Sequence, residues 1–206
     1  MEDIKEHLKD ISEMRAMMER NSKFLSLSGL SGVSAGLVAL AGAVAAWWYF
    51  GKSFDYIRTP LQHTREEVYT FFAADAALVM LLAVSLAALF SRRMAKKKDL
   101  PLWTATSKTL LINLLLPLFA GGAFCLILLW HGAVAFIPAS MLLFYGMALL
   151  NASKFTLPEI RYLALTELVL GLACAVWIGH GLVFWALGFG IAHIVYGAVM
   201  YFKYER

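Results

Sequence analysis

The sequence predicts an all-α, polytopic membrane protein: six transmembrane helices arranged as three hairpins, with both termini in the cytoplasm. Three observations carry that expectation. Of 206 residues, 61% are hydrophobic and only 16% charged, against roughly half and a quarter in soluble domains. Stretches of the roughly 20 apolar residues needed to cross a bilayer recur six times, at about 24–50, 68–90, 110–130, 133–150, 160–178 and 182–202. Lysine and arginine gather on alternate connecting segments. With the N-terminus inside, 15 of the 18 fall on the cytoplasmic side, and only Lys52, Arg58 and Arg65 lie outside, a strong positive-inside bias. The implied location is the bacterial cytoplasmic (inner) membrane. The spans leave a cytoplasmic segment, 1–23, and a bundle, 24–206, with no length for a separate soluble catalytic domain.

Residues 1–22 read as an amphipathic helix. Ile4, Leu8, Ile11 and Met18 form half of a coiled-coil seam. Six acids and five bases in 1–23 leave little net attraction to anionic lipid, so the segment is expected to pack beneath the bundle, engage a cytoplasmic protein partner or self-associate. The first span is too long, and begins too late, for the apolar core of a cleaved signal. It opens with a serine–glycine series in which Ser28, Gly32 and Gly36 fall four apart, a face that lets two helix backbones approach closely. The start of that helix also offers free N–H groups and hydroxyls that suit an anion.

Thr64 and Glu67 have the spacing of a capping box opening the second span, and Thr156 and Glu159 repeat it before the fifth. Pro117 and Pro138 each remove a backbone hydrogen bond and favour kinks in the third and fourth spans. Asn113, Pro117, Gly121 and Leu128 share one face of the third span, which is expected to look inward. The run Arg92, Arg93, Lys96, Lys97, Lys98 reads as topogenic, with anionic headgroup contact as a secondary role.

The last two hairpins resemble each other. Gly122, Cys125, His131, Gly132 and Val134 match Gly171, Cys174, His180, Gly181 and Val183, five identities in thirteen positions. After a two-residue slip, Tyr145-Gly146 matches Tyr196-Gly197. A parallel internal repeat is the expectation.

Ionisable groups inside a bilayer cost about 2.5–3.5 kcal/mol at the centre on insertion scales and therefore mark candidate sites. Glu167 and His193 lie in the fifth and sixth spans at equal distances from the Gly179-His180-Gly181 turn. They are therefore level on antiparallel neighbours and expected to meet. Asp75 lies in the outer third of the second span, and Asn113 completes the set of intramembrane polar residues. At the outer face His131, His180 and His63 could ligate a metal or haem, although no spaced ligand motif supports this. The two cysteines, Cys125 and Cys174, suggest neither a disulfide framework nor a zinc motif.

No nucleophile elbow, Walker loop or His-Glu-x-x-His motif is present, so the sequence points away from an enzyme, and its loop charges serve topology rather than nucleic acid. Three hairpins with both ends inside also describe mitochondrial carriers, but their Pro-x-Asp/Glu-x-x-Lys/Arg signature does not repeat here and the chain is too short. Residues 21–33, Asn-Ser-Lys-Phe-Leu-Ser-Leu-Ser-Gly-Leu-Ser-Gly-Val, resemble a segment of small, uncharacterised bacterial six-span membrane proteins; that resemblance covers mainly the first span and implies no activity. Three functions are thus in view. The first is a non-enzymatic sensor or regulatory membrane protein docking a partner through residues 1–22, with no cofactor. The second is a small transporter or channel using Asp75, Glu167 and His193. The third is a haem- or metal-binding redox protein using His131 and His180.

Overall fold

Hydrocarbon offers no partner for a backbone N–H or C=O, so a chain this apolar folds into elements that satisfy those groups internally. The computed structural model describes residues 28–51, 63–99 and 101–206; the amphipathic segment 1–23 lies outside the described residues. Within them the chain is all-α. Its helices are α1 (Gly29–Tyr49), α2 (Arg65–Lys97), α3 (Ala105–Trp130), α4 (Ile137–Ala152), α5 (Glu159–Val176), α6 (Gly181–Trp185) and α7 (His193–Tyr204). A π-helical segment, Ala186–Ala192, joins α6 to α7. Five helical stretches are long and apolar enough to cross a membrane: Gly29–Tyr49, Glu66–Lys97, Ala105–Trp130, Val134–Phe155 and Gly181–Tyr204. Helix α5 has 18 residues and carries Glu159, Arg161 and Glu167.

The order of packing is α2 on α1, α1 on the π segment and α7, those on α4 and α5, and α4 on α3. Glycine sets the closest approaches. A Cβ at Gly197 would lie 2.6 Å from Val33 N and 2.7 Å from Gly29 O, and one at Gly36 would lie 2.6 Å from Gly190 O. Contacts therefore run from Gly29 against Tyr201 to Gly36 against Gly190, so α1 and α7 are antiparallel. Gly32 and Gly36 belong to the small-residue face expected from the sequence, with Gly29 in place of Ser28. Gly146 likewise meets Ala164 O of α5, and Gly171 meets Leu143 of α4.

Ser28 has another task. Its Oγ donates to Glu205 Oε2 at 3.1 Å, and Gly29 N–H donates to Glu205 Oε1. The anion expected at this helix start is thus a side chain of the same chain, and Lys97 Nζ reaches Glu205 O at 3.5 Å. Nearby, Glu159 accepts from Lys203 Nζ at 2.6 Å and from Tyr204 Oη at 3.0 Å. Burial alone would raise the Glu159 carboxyl above its ordinary value of 4.5, but these donors outweigh it and hold the group lower.

Several sequence expectations need correction. The Thr64–Glu67 capping box forms. Helix α5 has Pro158 rather than Thr156 at its N-cap, with no side-chain bond from that cap, and the Glu159 carboxyl meets Lys203 and Tyr204. A capping box that was not foreseen, Thr104 with Ser107, opens α3. Pro138 does not kink a span: a 3-10 turn at Val134–Phe136 comes first, and the proline falls in the opening turn of α4, where its missing N–H costs nothing. Pro117 does lie inside α3, buried with Gly121. The sixth span is not a continuous α-helix, being interrupted by the π segment.

The matched glycines of the two last hairpins have unlike surroundings. Nothing lies within 4 Å of a Cβ at Gly122, whereas Gly171 abuts Leu143. Gly197→Ala is therefore expected to lower stability in detergent by about 1–3 kcal/mol through overpacking. Gly122→Ala should be neutral or slightly stabilising through helix propensity. Equal melting shifts for the two would contradict the α1–α7 seam.

The Glu159–Lys203 pair makes a second prediction. A carboxyl held below its ordinary value contributes stability above that value and loses it as pH falls through the lowered one. Lys203→Met should thus destabilise slightly at neutral pH, since the lysine is largely exposed. The difference from the parent should shrink as pH falls below the ordinary carboxyl value of 4.5 in melting curves taken across the acid range.

Candidate functional site

Helix α5 turns one face inward: Ile160, Leu163, Ala164, Glu167, Gly171 and Cys174 are buried at helical spacing. Glu159 at the helix start and Glu167 are the charged residues on that stripe, and Glu167 is 0% exposed. Facing it is His193, the first residue of α7 and itself buried, with Nδ1 at 3.4 Å from Glu167 Oε1. The turn at Gly179-His180-Gly181, where Gly179 has φ +106°, reverses the chain so that these two residues come level.

A third helix completes the site. Tyr145 of α4 places its Oη 2.8 Å from His193 Nε2, and the rings of Tyr145, Phe189 and His193 pack with centroids 5.0–6.1 Å apart. His193 Nδ1 also lies 3.0 Å from Gly188 O. A carbonyl only accepts, so Nδ1 carries a hydrogen. Nε2 then either accepts from the tyrosine hydroxyl or, in the imidazolium, donates to it.

Glu167 is different. Both its oxygens are sealed from solvent, and neither has a hydrogen-bond partner among the described residues. The 3.4 Å approach from Nδ1 is a polar contact rather than a hydrogen bond, because that nitrogen's hydrogen is directed at Gly188 O. Gly188 is what allows the arrangement: a Cβ there would sit 2.5 Å from Glu167 Oε2 and 2.5 Å from Leu142 Cδ2. A buried carboxylate without donors is strongly disfavoured. The pair is neutral when it holds two protons, either as carboxylic acid with imidazole or as carboxylate with imidazolium.

Toward the end of the bundle where α5 starts and α7 finishes, Leu149, Leu163, Ala164 and Met200 form a buried apolar cluster. Beyond the site on the same helices, Thr166 Oγ1 and Tyr196 Oη lie 3.2 Å apart, and Glu159 meets Lys203 and Tyr204 at the helix ends.

The remaining candidates do not join this site. Asp75 lies between α2 and α1, its carboxyl oxygens 3.3 Å from where a Gly42 Cβ would be. Asn113 Nδ2 donates to Thr109 O of its own helix at 2.8 Å. His63 stacks on Tyr49 with centroids 4.2 Å apart and lies 3.9 Å from Glu67. His131 and His180 are exposed at their turns, and Cys125 and Cys174 are unbridged. Among the described residues no three His, Cys, Asp or Glu side chains come together as a ligand set. Tyr145, read from the sequence as part of the repeat alone, and the π segment were not foreseen at the site; the glycine pair Gly188 and Gly190 was the local signal for the latter.

If Glu167 and His193 act as one unit, truncations will not add. Removing one member of a buried charged pair typically costs about 3–5 kcal/mol. Glu167→Leu and His193→Leu are expected to lose that much singly, and the double variant clearly less than their sum in detergent melting. Tyr145→Phe should cost about 1 kcal/mol. Strictly additive losses for the two leucine variants would mean that the side chains do not interact.

No protein-family model matches this chain, and neither a curated protein nor a solved structure resembles it significantly, so the functional reading rests on the geometry of the site.

Proposed function

We propose that the chain is a six-span integral membrane protein, both termini cytoplasmic, that works as a small proton-linked transporter or channel with Glu167 and His193 as its proton-holding site. The observation that carries this reading is the fully buried Glu167 carboxyl, without a hydrogen-bond partner, 3.4 Å from an imidazole. A group that only braced two helices would be expected to have its lone pairs satisfied. An unsatisfied one beside a second titratable group is suited to taking up and giving back a proton. The neighbouring π segment supports the reading, since such segments recur at functional sites.

Asp75 has no part in this pair and stands apart on the α1–α2 seam. Helix α5, despite its three charged residues, counts as a span, the fifth in chain order: Glu159 and Arg161 sit at its cytoplasmic start, and Glu167 is covered by α4, the π segment and α7. The second reading, a non-enzymatic sensor docking a partner through residues 1–22, keeps the same proton site and differs in having no flux.

Proteoliposomes with an imposed pH gradient and an internal pH dye distinguish the two. The parent protein is expected to dissipate the gradient at least about ten times faster than Glu167→Gln or empty vesicles, the change associated with about 1.4 kcal/mol. Parent rates equal to those of empty vesicles would remove the transport reading and leave the sensor.

A further inference from the structure

Between the Glu167–His193 pair and the cytoplasmic ends of α5 and α7 lies the apolar cluster of Leu149, Leu163, Ala164 and Met200. A movement of α7 would open that cluster to the pair. The element built for it is the last one. It begins as α-helix at Gly181, runs as π-helix through Ala186–Ala192, and resumes as α-helix at His193. Both glycines of the π segment face partners at very short range, Gly188 against the Glu167 carboxyl and Gly190 against Leu40 of α1. The His193 ring reaches back across the same segment to Gly188 O at 3.0 Å. The wide ladder is thus held from outside, by the pair and by α1.

We propose that Ala186–Ala192 is a proton-controlled register switch: loss of a proton from the Glu167–His193 pair winds the segment to α-helix, turns α7, and withdraws Glu205 from the start of α1. The inference rests on the proton-site reading above. With two protons the pair is neutral and the π arrangement is the one described. With one proton fewer, a negative charge is left in a dry site. The groups facing it are His193 on α7, Tyr145 on α4 and the Gly188 backbone of the π segment. Neither α1 nor α5 sets a second titratable side chain against it. Shortening an i→i+5 ladder to i→i+4 turns everything beyond by about one residue, roughly 100°. That rotation carries His193 away from Glu167. It also takes Gly197 out of the seam with Gly29 and Gly32 and puts Tyr196 or Ala198 in its place, which the 2.6 Å clearance at Val33 N does not admit. Helix α1 must then part from α7, and the Glu205 bonds to Ser28 and Gly29 break. A core proton is read out at the cytoplasmic surface, and the apolar cluster around Met200 opens.

The test uses the full chain in lipid nanodiscs with Cys125→Ala and Cys174→Ala and spin labels at the exposed positions Tyr162 and Val199. Two distance populations are expected, the second growing at least tenfold relative to the first as pH rises through the site's titration. Glu167→Gln, which has no proton to lose, should hold the first population at every pH. Glu205→Gln, which weakens only the cytoplasmic contact, should favour the second at every pH. One unchanging distance in the parent, an unaltered pH response in Glu167→Gln, or a Glu205→Gln ratio identical to the parent would each overturn the switch. A hydrophobic carbodiimide separates this from the proton-site reading. The protonated carboxyl adds its O–H across the carbodiimide C=N with no leaving group, so labelling of Glu167 reports the proton without reference to movement. Labelling that falls with pH while the distance stays fixed would overturn the switch and leave the proton site standing. No labelling at any pH would overturn both.

Discussion

Within hydrocarbon, two apolar helix faces gain nothing by leaving lipid for each other, so what holds them is how closely their backbones can come. The seam between α1 and α7 is the place where this constraint governs the structure. Gly29, Gly32 and Gly36 on one side and Gly190 and Gly197 on the other bring the main chains together along about two turns. Through that seam α1, and α2 behind it, are attached to the remainder of the protein. The polar contacts at one end of it, Glu205 with Ser28 and Gly29, fix the register that the glycines alone would leave free to slide.

The same seam constrains the buried site. Leu40 of α1 sits against Gly190, and Glu167 against Gly188, so the π segment is gripped from both sides. Its wide ladder is the geometry in which the His193 ring lies between Tyr145 and Glu167. Local backbone shape, helix packing and the placing of a buried polar pair are here one problem with a shared solution. Altering any of the three would be felt in the others.

Much of this was legible beforehand, and the exceptions have physical reasons. A tight turn forces antiparallel neighbours, so counting residues from Gly179-His180-Gly181 was enough to bring Glu167 level with His193. Tyr145 could not be reached that way, because it comes from another hairpin whose rotation no count supplies. The π segment reads as an ordinary apolar stretch, since hydropathy is blind to which carbonyl an N–H selects. Pro138 was misread because a 3-10 turn delays the start of α4 by a few residues, and the start of α5 because Pro158 rather than Thr156 stands at its N-cap. Nothing local singles out Glu205; its bond to Gly29 spans 176 positions, beyond any local pattern.

That separation has a consequence for how the protein is made. Helix α1 is the first of the described helices to leave the ribosome, and the partner for its glycine face is the last. Until residues 181–205 have been inserted, the serine–glycine face of α1 lies against lipid or against whatever the insertion machinery offers, and the N–H of Gly29 lacks its carboxylate. Assembly of this protein is consequently a closing step rather than a sequential one. The middle hairpin can form while synthesis continues, whereas α1 and α2 must wait in the membrane and be captured at the end. A glycine face kept unpaired for so long is also the surface most open to mispairing with another nascent chain.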